Sequence, residues 1–298
     1  MRSILHDLST RIAPAIAGIV RNVDVATKML GIEYFLCGAM ARDFFLEYIY
    51  GMQKAQRATA DLDFGISIRS WDEYRRLKIE LMRLPGYSQD PKMEQRIRTG
   101  GLYFDIVPFG AIENKDRTVH FPPDADNVLN VAGFDDAFVS AIMVLVAPGL
   151  TVRVASLQGL TLLKLLAWQD RWRWNNKDAT DIRLILGCCA GSWNQDRIYE
   201  DSDLLETEGF EPERVAARLL GRDIGSVMQL TTRTQVLSIL EAQSSPDQDA
   251  YPLVDQMLFG GQIPIGHTVE QVEKQIELLR CLRRGIDETN LKPTTAGR

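Results

Sequence analysis

The sequence predicts an α+β protein, with a mixed β-sheet flanked by helices in the first half and a helical C-terminal domain after it. Three observations carry this expectation. Short apolar or alternating runs at 33–37, 61–68, 94–98 and 102–107 have the two-residue period of strands. Glycine-containing turns and segments with apolar residues at three- and four-residue spacing separate them, as amphipathic helices would. From about residue 156 onward only the helical period continues. The expected domains are therefore 1–155, a sheet-bearing core with an N-terminal helix, and 156–298, mostly helical.

The elements follow in order. Ile12, Ile16, Ile19, Val20, Val23 and Met29 fall at helical spacing, so 9–31 reads as one or two scaffold helices. A strand at 33–37 runs into the turn Gly38-Ala39-Met40 and a helix over about 41–50, whose Phe44, Phe45, Tyr48 and Ile49 form an apolar face. The loop 51–60 holds Lys54, Arg57 and Thr59, and the next strand opens on Asp61-Leu62-Asp63. The segment 71–84 is an amphipathic helix with Tyr74, Leu77, Leu81 and Leu84 inward. Thr99-Gly100-Gly101 joins strands 94–98 and 102–107 as a hairpin, which Pro108 and Gly110 close. A polar, turn-rich stretch to 136 precedes expected strands at 137–146 and 151–154. Ser156 caps a helix over 157–171, and a second helix follows at 177–189. Beyond it, 211–220, 231–241, 252–259 and 269–284 read as helices, with 221–225 as an interruption and a frayed tail from about 288.

Composition narrows the function. Apolar content of 45% and charged content of 25% are those of an ordinary soluble protein. No run is long enough for a membrane span, and His6, Asp7 and Arg11 interrupt the N-terminal apolar residues, unlike a signal peptide. Cys37, Cys188, Cys189 and Cys281 lack metal-type spacing and suit reduced thiols in a cytoplasm. The three histidines, His6, His120 and His267, are too scattered for a histidine zinc site or a Ser-His-Asp triad. A net charge of −6 excludes non-specific coating of nucleic acid, so any such contact needs a local patch.

The chemistry concentrates at 34–68. On a strand Asp61 and Asp63 emerge on one face, opposite a glycine turn that opens a helix. Paired carboxylates are hard ligands for Mg²⁺, and unpaired N–H groups at a helix start suit phosphate oxygens. Alone the pair says little: with 40 acidic residues in 298, about five acid-x-acid pairs arise by chance. Asp105 adds weight, because an acid among Tyr103, Phe104, Ile106 and Val107 is costly unless something uses it. Arg42 reads either as a partner of Asp43 or as a cation beside phosphates. Lys164 shares a helix face with Leu160, Leu163, Ala167 and Trp168, where it either snorkels or serves as a point charge. Asp178 and Asp181, three apart, are neighbours at a helix start, where carboxylates also offset the helix dipole. Arg171-Trp172-Arg173-Trp174 offers cations and stacking rings of the sort single-stranded RNA ends use, or is simply a helix end.

The order Gly38-Ala39, Asp61-x-Asp63 and Asp105 resembles the nucleotidyltransferase superfamily of the polymerase-β type. Within it, GAMARD, RATADLDF, DIVPFG, ASLQGLTLLKLLAW and KDATDI, spanning about residues 30–190, resemble the AbiEii/AbiGii-type toxin branch of abortive-infection systems. The resemblance implies a nucleotidyltransferase-type mixed sheet with the active site at one end. It implies NTP as substrate, two Mg²⁺ ions on Asp61, Asp63 and Asp105, and Gly38, Ala39 and Arg42 at the nucleotide. Lys164, Asp178 and Asp181 match further nucleotide and catalytic contacts, contributed by the helical domain to the active-site cleft. Ala39 departs from the usual second glycine or serine, and the gap to Asp61 is long. The implied partners are a tRNA 3′ end as acceptor and a cognate antitoxin protein. A small-molecule acceptor, as in antibiotic nucleotidyltransferases, and a nucleotide-binding protein without turnover are the alternatives; an acidic chain suits a cationic drug.

Overall fold

The structure is a computed structural model that describes residues 6–49, 62–123, 126–191, 194–260 and 269–289. The loop 51–60, Asp61, His267, the tail from 290 and the side chains of Tyr48 and Ile49 lie outside the described residues. Chain contacts divide it into two compact units, Met1–Ser156 and Leu157–Arg298.

The first unit is built on an eight-stranded mixed sheet in the order β1-β9-β10-β2-β3-β6-β5-β4. These are β1 (His6–Asp7), β2 (Glu33–Cys37), β3 (Leu62–Ile68), β4 (Tyr87–Gln89), β5 (Arg96–Thr99), β6 (Leu102–Gly110), β9 (Ile142–Ala147) and β10 (Leu150–Val154). The remaining two strands, β7 (Thr118–His120) and β8 (Val128–Asn130), form a small hairpin inside the stretch expected to be irregular. At the centre, β2 is antiparallel to β3, β3 is parallel to β6, and β6 is antiparallel to β5.

Strand alternation gives the sheet two different faces. Leu36, Leu62, Phe64, Ile66, Phe104 and Ile106 are fully or almost fully buried on one of them. That face carries α1 (Pro14–Leu30) and α3 (Trp71–Met82), through Val20, Val23, Leu77 and Leu81 and a Tyr74 hydroxyl that donates to the Ile106 carbonyl at 3.0 Å. The other face is packed with phenylalanine rings towards one end. There Phe35 meets Phe109 and Phe138 at ring-centroid distances of 5.8 Å. Gly65 is required beneath Phe35, since a Cβ would lie 2.2 Å from its ring. The opposite end of this face carries Asp63 and Asp105.

Three local expectations are corrected. The segment 137–141 is not strand: α4 (Phe134–Val139) starts after Gly133, at φ 80°, with Asp135 and Asp136 in its first turn. Phe134 and Phe138, four apart, share the helix face that packs on Phe35. Pro108 does not end its strand: β6 continues to Gly110 beside β3, and β5 stops at Arg96, opposite Asp105, so a missing N–H is tolerated on that side. The expected turn 38–40 is instead helical, since α2 (Gly38–Asp43) begins at Gly38 itself and runs on as a π-helical turn over Phe44–Ile49.

The described residues of the second unit form helices joined by turns, with no strand among them. It holds α5 (Leu157–Arg171), α6 (Lys177–Cys188), α7 (Gln195–Glu200), α8 (Ser202–Thr207), α9 (Pro212–Val227), α10 (Leu230–Ala242), α11 (Pro252–Phe259) and α12 (Val269–Asp287). Residues 221–225 do not interrupt α9 but are its contact with α12. A Cβ on Gly221 would lie 2.1 Å from the Leu282 carbonyl oxygen, and one on Gly285 would lie 1.9 Å from that of Arg218. The two backbones therefore touch, and the glycines are packing surface. No helix among the described residues is long and apolar enough to cross a membrane.

Candidate active site

Sheet register assembles the first part of the site. Asp63, the second residue of β3, pairs with Cys37 on β2 and with Asp105 on β6. Residues paired in register point to the same face, and adjacent strands lie about 4.8 Å apart, so the two carboxylates emerge as neighbours. Both are partly exposed, at the end of the sheet face that the phenylalanines leave open. Gly38 closes the arrangement. Its φ is 66°, and a Cβ there would lie 1.8 Å from Asp63 Oδ2. Only a residue without a side chain lets the helix start sit against this carboxylate. The first N–H groups of a helix have no partner within it, so the Asp63 side is rich in donors.

Two hard oxygen donors, side by side and reachable by solvent, fit a divalent cation such as Mg²⁺. Asp105 has a further partner. Arg96 lies opposite it across the β5–β6 hairpin and forks onto both carboxylate oxygens, Nε to Oδ1 at 2.7 Å and a terminal nitrogen to Oδ2 at 2.9 Å. The same guanidinium lies 4.2 Å from the centre of the Tyr103 ring. Arg96 was not singled out by sequence, although the signal existed. Three residues outward from the Thr99/Leu102 pair on each strand places Arg96 against Asp105.

Arg42 is held by Asp43, its Nε donating to Oδ1 at 2.7 Å, and both side chains are largely buried rather than on the surface. Ala39 follows Gly38 in the first turn of α2.

The remaining sequence candidates come together in the second unit. Lys164 Nζ of α5 lies 3.1 Å from Asp178 Oδ1 and 2.6 Å from Asp181 Oδ2 on α6. Arg171 forks onto Asp178, with Nε–Oδ2 at 2.6 Å and a terminal nitrogen to Oδ1 at 2.9 Å. The Asp178 side chain is 0% exposed, so it is far more than an offset to the helix dipole. Burial pushes the Asp178 pKa upward, but Arg171 and Lys164 outweigh it and hold the carboxyl below its ordinary value. Burial likewise works against the Lys164 charge, and Asp181 and Asp178 outweigh it and raise its pKa. The four groups form a charge-balanced cluster.

Beside it, Trp172 stacks on Trp168 at 6.1 Å, the Arg173 guanidinium lies 4.9 Å from the Trp172 ring, and Trp174 is 74% exposed. Arg171 is thus taken up by Asp178, whereas Trp174 presents its ring to solvent. Ser156 precedes α5, and its hydroxyl donates to that of Ser140 at 3.3 Å.

A second set of ligand-type groups, Glu208, Glu277 and Cys281, has donor atoms within 4.8 Å of one another. Arg284 donates to Glu208 at 2.8 Å and to Glu277 at 2.9 Å, and Arg218 donates to Glu208 at 2.6 Å. A guanidinium already fills the place of a cation, which makes this a structural ion cluster. All four cysteines are free; burial pushes the Cys188 thiol up to about 11 and the Cys281 thiol up to about 12, so neither is a thiolate nucleophile at neutral pH.

No protein-family model and no curated protein sequence matches the chain. Among solved structures, similarity extends to ANT(2″)-Ia in complex with adenylyl-2″-tobramycin, at 14% identity over 59% of this chain and 88% of that one, with a TM-score of 0.34. An antigenic nucleotidyltransferase-like protein from Paracoccidioides brasiliensis is similar at 15% identity over 59% of this chain and 78% of that one, TM-score 0.38. A tRNA-processing enzyme is similar at 13% identity over 98% of this chain and 62% of that one, TM-score 0.33. Identities and scores this low carry no functional conclusion, which rests on the geometry of the chain itself.

Proposed function

We propose that this protein is a divalent-metal-dependent nucleotidyltransferase of the polymerase-β type, moving NMP from an NTP to an acceptor hydroxyl. The observation that supports it most is the register pairing of Asp63 with Asp105 beside a helix-opening glycine that any side chain would drive into Asp63. Asp63 and Asp105, together with Asp61, would hold two Mg²⁺ ions, which when bound acidify the attacking hydroxyl and steady the leaving pyrophosphate. The N–H groups at Gly38 and Ala39 would donate to phosphate oxygens, and Arg42, paired with Asp43, would stand beside them as a donor. The acceptor oxygen forms its bond to the α-phosphorus as the bond to the β-phosphate oxygen breaks, and Asp105 would either bind the first ion, the hydroxyl proton passing to water, or take that proton itself. The sequence resemblance assigns Lys164, Asp178 and Asp181 to further nucleotide and catalytic contacts.

For the acceptor we favour an RNA 3′ end, such as that of tRNA, because the exposed ring of Trp174 and the guanidinium of Arg173 offer the stacking and cationic surface that single-stranded ends use. The placement in the AbiEii/AbiGii-type toxin branch, with a cognate antitoxin, rests on the sequence motifs alone. Incubation with α-labelled NTPs, Mg²⁺ and either total RNA or aminoglycosides tests the reading. Label in RNA is the expected result. Label on the drug would favour a small-molecule acceptor, and NTP binding without pyrophosphate release on any acceptor would favour a protein without turnover.

A further inference from the structure

The Asp105 carboxylate has both oxygens engaged by Arg96, at 2.7 and 2.9 Å, in the bidentate geometry that makes the strongest charge-assisted pairs. A carboxylate meant for a cation is therefore already neutralised by this chain's own cation. Both side chains are mostly buried, Arg96 at 23% exposure and Asp105 at 14%, so solvent screens the pair only partly. The guanidinium also has somewhere to go. It lies over the Tyr103 ring, 4.2 Å from its centre, and borders a cavity of about 490 Å³, lined further by Ser88, Arg98 and Thr99. Tyr103 and Asp105 are two apart on β6 and share a face, so a shift along the ring frees one carboxylate oxygen while Arg96 keeps its aromatic contact.

We propose that Arg96 is a positioning residue that competes with the divalent cation for Asp105, releasing at least one carboxylate oxygen when the metal binds and re-forming the fork when it leaves. This rests on the reading of Asp63 and Asp105 as the metal carboxylates. Without metal, the fork fixes the orientation of Asp105 and cancels its charge. With metal, the ion and the guanidinium compete for the same carboxylate charge and the fork loosens, so Arg96 sets a threshold cation concentration for assembly of the site. A unit charge at hydrogen-bond distance shifts ionic equilibria by about tenfold or more, which sets the scale of the effect.

The test is Mn²⁺ binding to the whole protein, followed by the loss of the free-ion paramagnetic resonance signal and by calorimetry, with no substrate present. The variants are Arg96→Gln, Arg96→Lys, Asp105→Asn, Asp63→Asn and the double variant Arg96→Gln/Asp105→Asn. The expected result is that Arg96→Gln binds Mn²⁺ about tenfold more tightly than wild type. Arg96→Lys, which keeps the charge but loses the fork, falls between them and supplies the same comparison should the glutamine variant fail to fold. In the Asp105→Asn background the Arg96 substitution changes nothing, an outcome that a merely structural arginine would not produce. Weaker or unchanged Mn²⁺ binding by the Arg96 variants, with binding still lost in Asp63→Asn, overturns the competition but leaves the metal site standing. Absence of Mn²⁺ binding by wild type and Arg96→Gln alike overturns the metal-site reading, and the proposal with it.

Discussion

Asp178→Asn removes one buried charge while keeping shape, and its consequence can be worked from the cluster. Breaking a buried ion pair by deleting one partner costs about 3–5 kcal/mol, because the other charge is left in low dielectric. Here two features reduce that. Arg171 is 43% exposed and can turn to water, and Lys164 keeps Asp181 at 2.6 Å. The cost therefore falls below that range, to roughly 2–3 kcal/mol, or about 4–12 °C in Tm at about 2–4 °C per kcal/mol. The pH dependence has a definite sign. Asp178 has a depressed folded pKa, so its contribution is present above the ordinary carboxylate range and lost as pH falls through the folded value. Lys164 has a raised one, so its contribution is present below its ordinary value of 10.5 and lost as pH rises through the folded value. The difference between wild type and Asp178→Asn should therefore be flat between about pH 5 and about pH 10 and shrink on either side. Urea denaturation followed by tryptophan fluorescence measures it, and a double-mutant cycle with Lys164→Met should return a coupling of about 1–2 kcal/mol. A loss below about 1 kcal/mol, or no coupling, would refute the treatment of these residues as a coupled ionic cluster.

Three further outcomes are expected. Gly38→Ala places a Cβ 1.8 Å from Asp63 Oδ2 at a positive φ, so stability should fall by about 1–3 kcal/mol while NMP transfer falls by far more than unfolding explains; transfer within twofold of wild type would contradict the close approach. Gly221→Ala, which meets the Leu282 carbonyl oxygen at 2.1 Å, should cost about 1–3 kcal/mol in chemical denaturation. The same change at Gly187, an exposed helical position with nothing within 4 Å, should stabilise by about 0.5–1 kcal/mol, so equal effects at the two sites would count against the α9–α12 contact.

What the sequence revealed and what it hid have physical reasons. Strands β2 and β3 and the β5–β6 hairpin were legible because alternation and the Thr99-Gly100-Gly101 turn are local signals. The run 137–141 misled because its apolar residues fit either period. The determining features were Gly133, the acids of the first turn and a face made by Phe134 and Phe138. Gly221 and Gly225 looked like a break because their partner, α12, lies some sixty residues later in the chain. At the site, the closeness of Asp63 to Asp105 could be expected from costly acids in strands, and Gly38 from its place before a helix. The Arg96 fork needed the hairpin register, which turn chemistry sets but residue type does not. The exchange among Lys164, Arg171, Asp178 and Asp181 was visible only as helical spacing, since no sequence signal says that Asp178 is buried.

The most direct measurement is pyrophosphate released from NTP in the presence of Mg²⁺ and total RNA, compared between wild type and a folded Asp63→Ala. Release by the wild type, lost on Mg²⁺ removal and lost in the variant with its circular dichroism and melting temperature preserved, is the predicted result. Undiminished release by a folded Asp63→Ala would contradict the assignment of β3 and β6 as the catalytic strands.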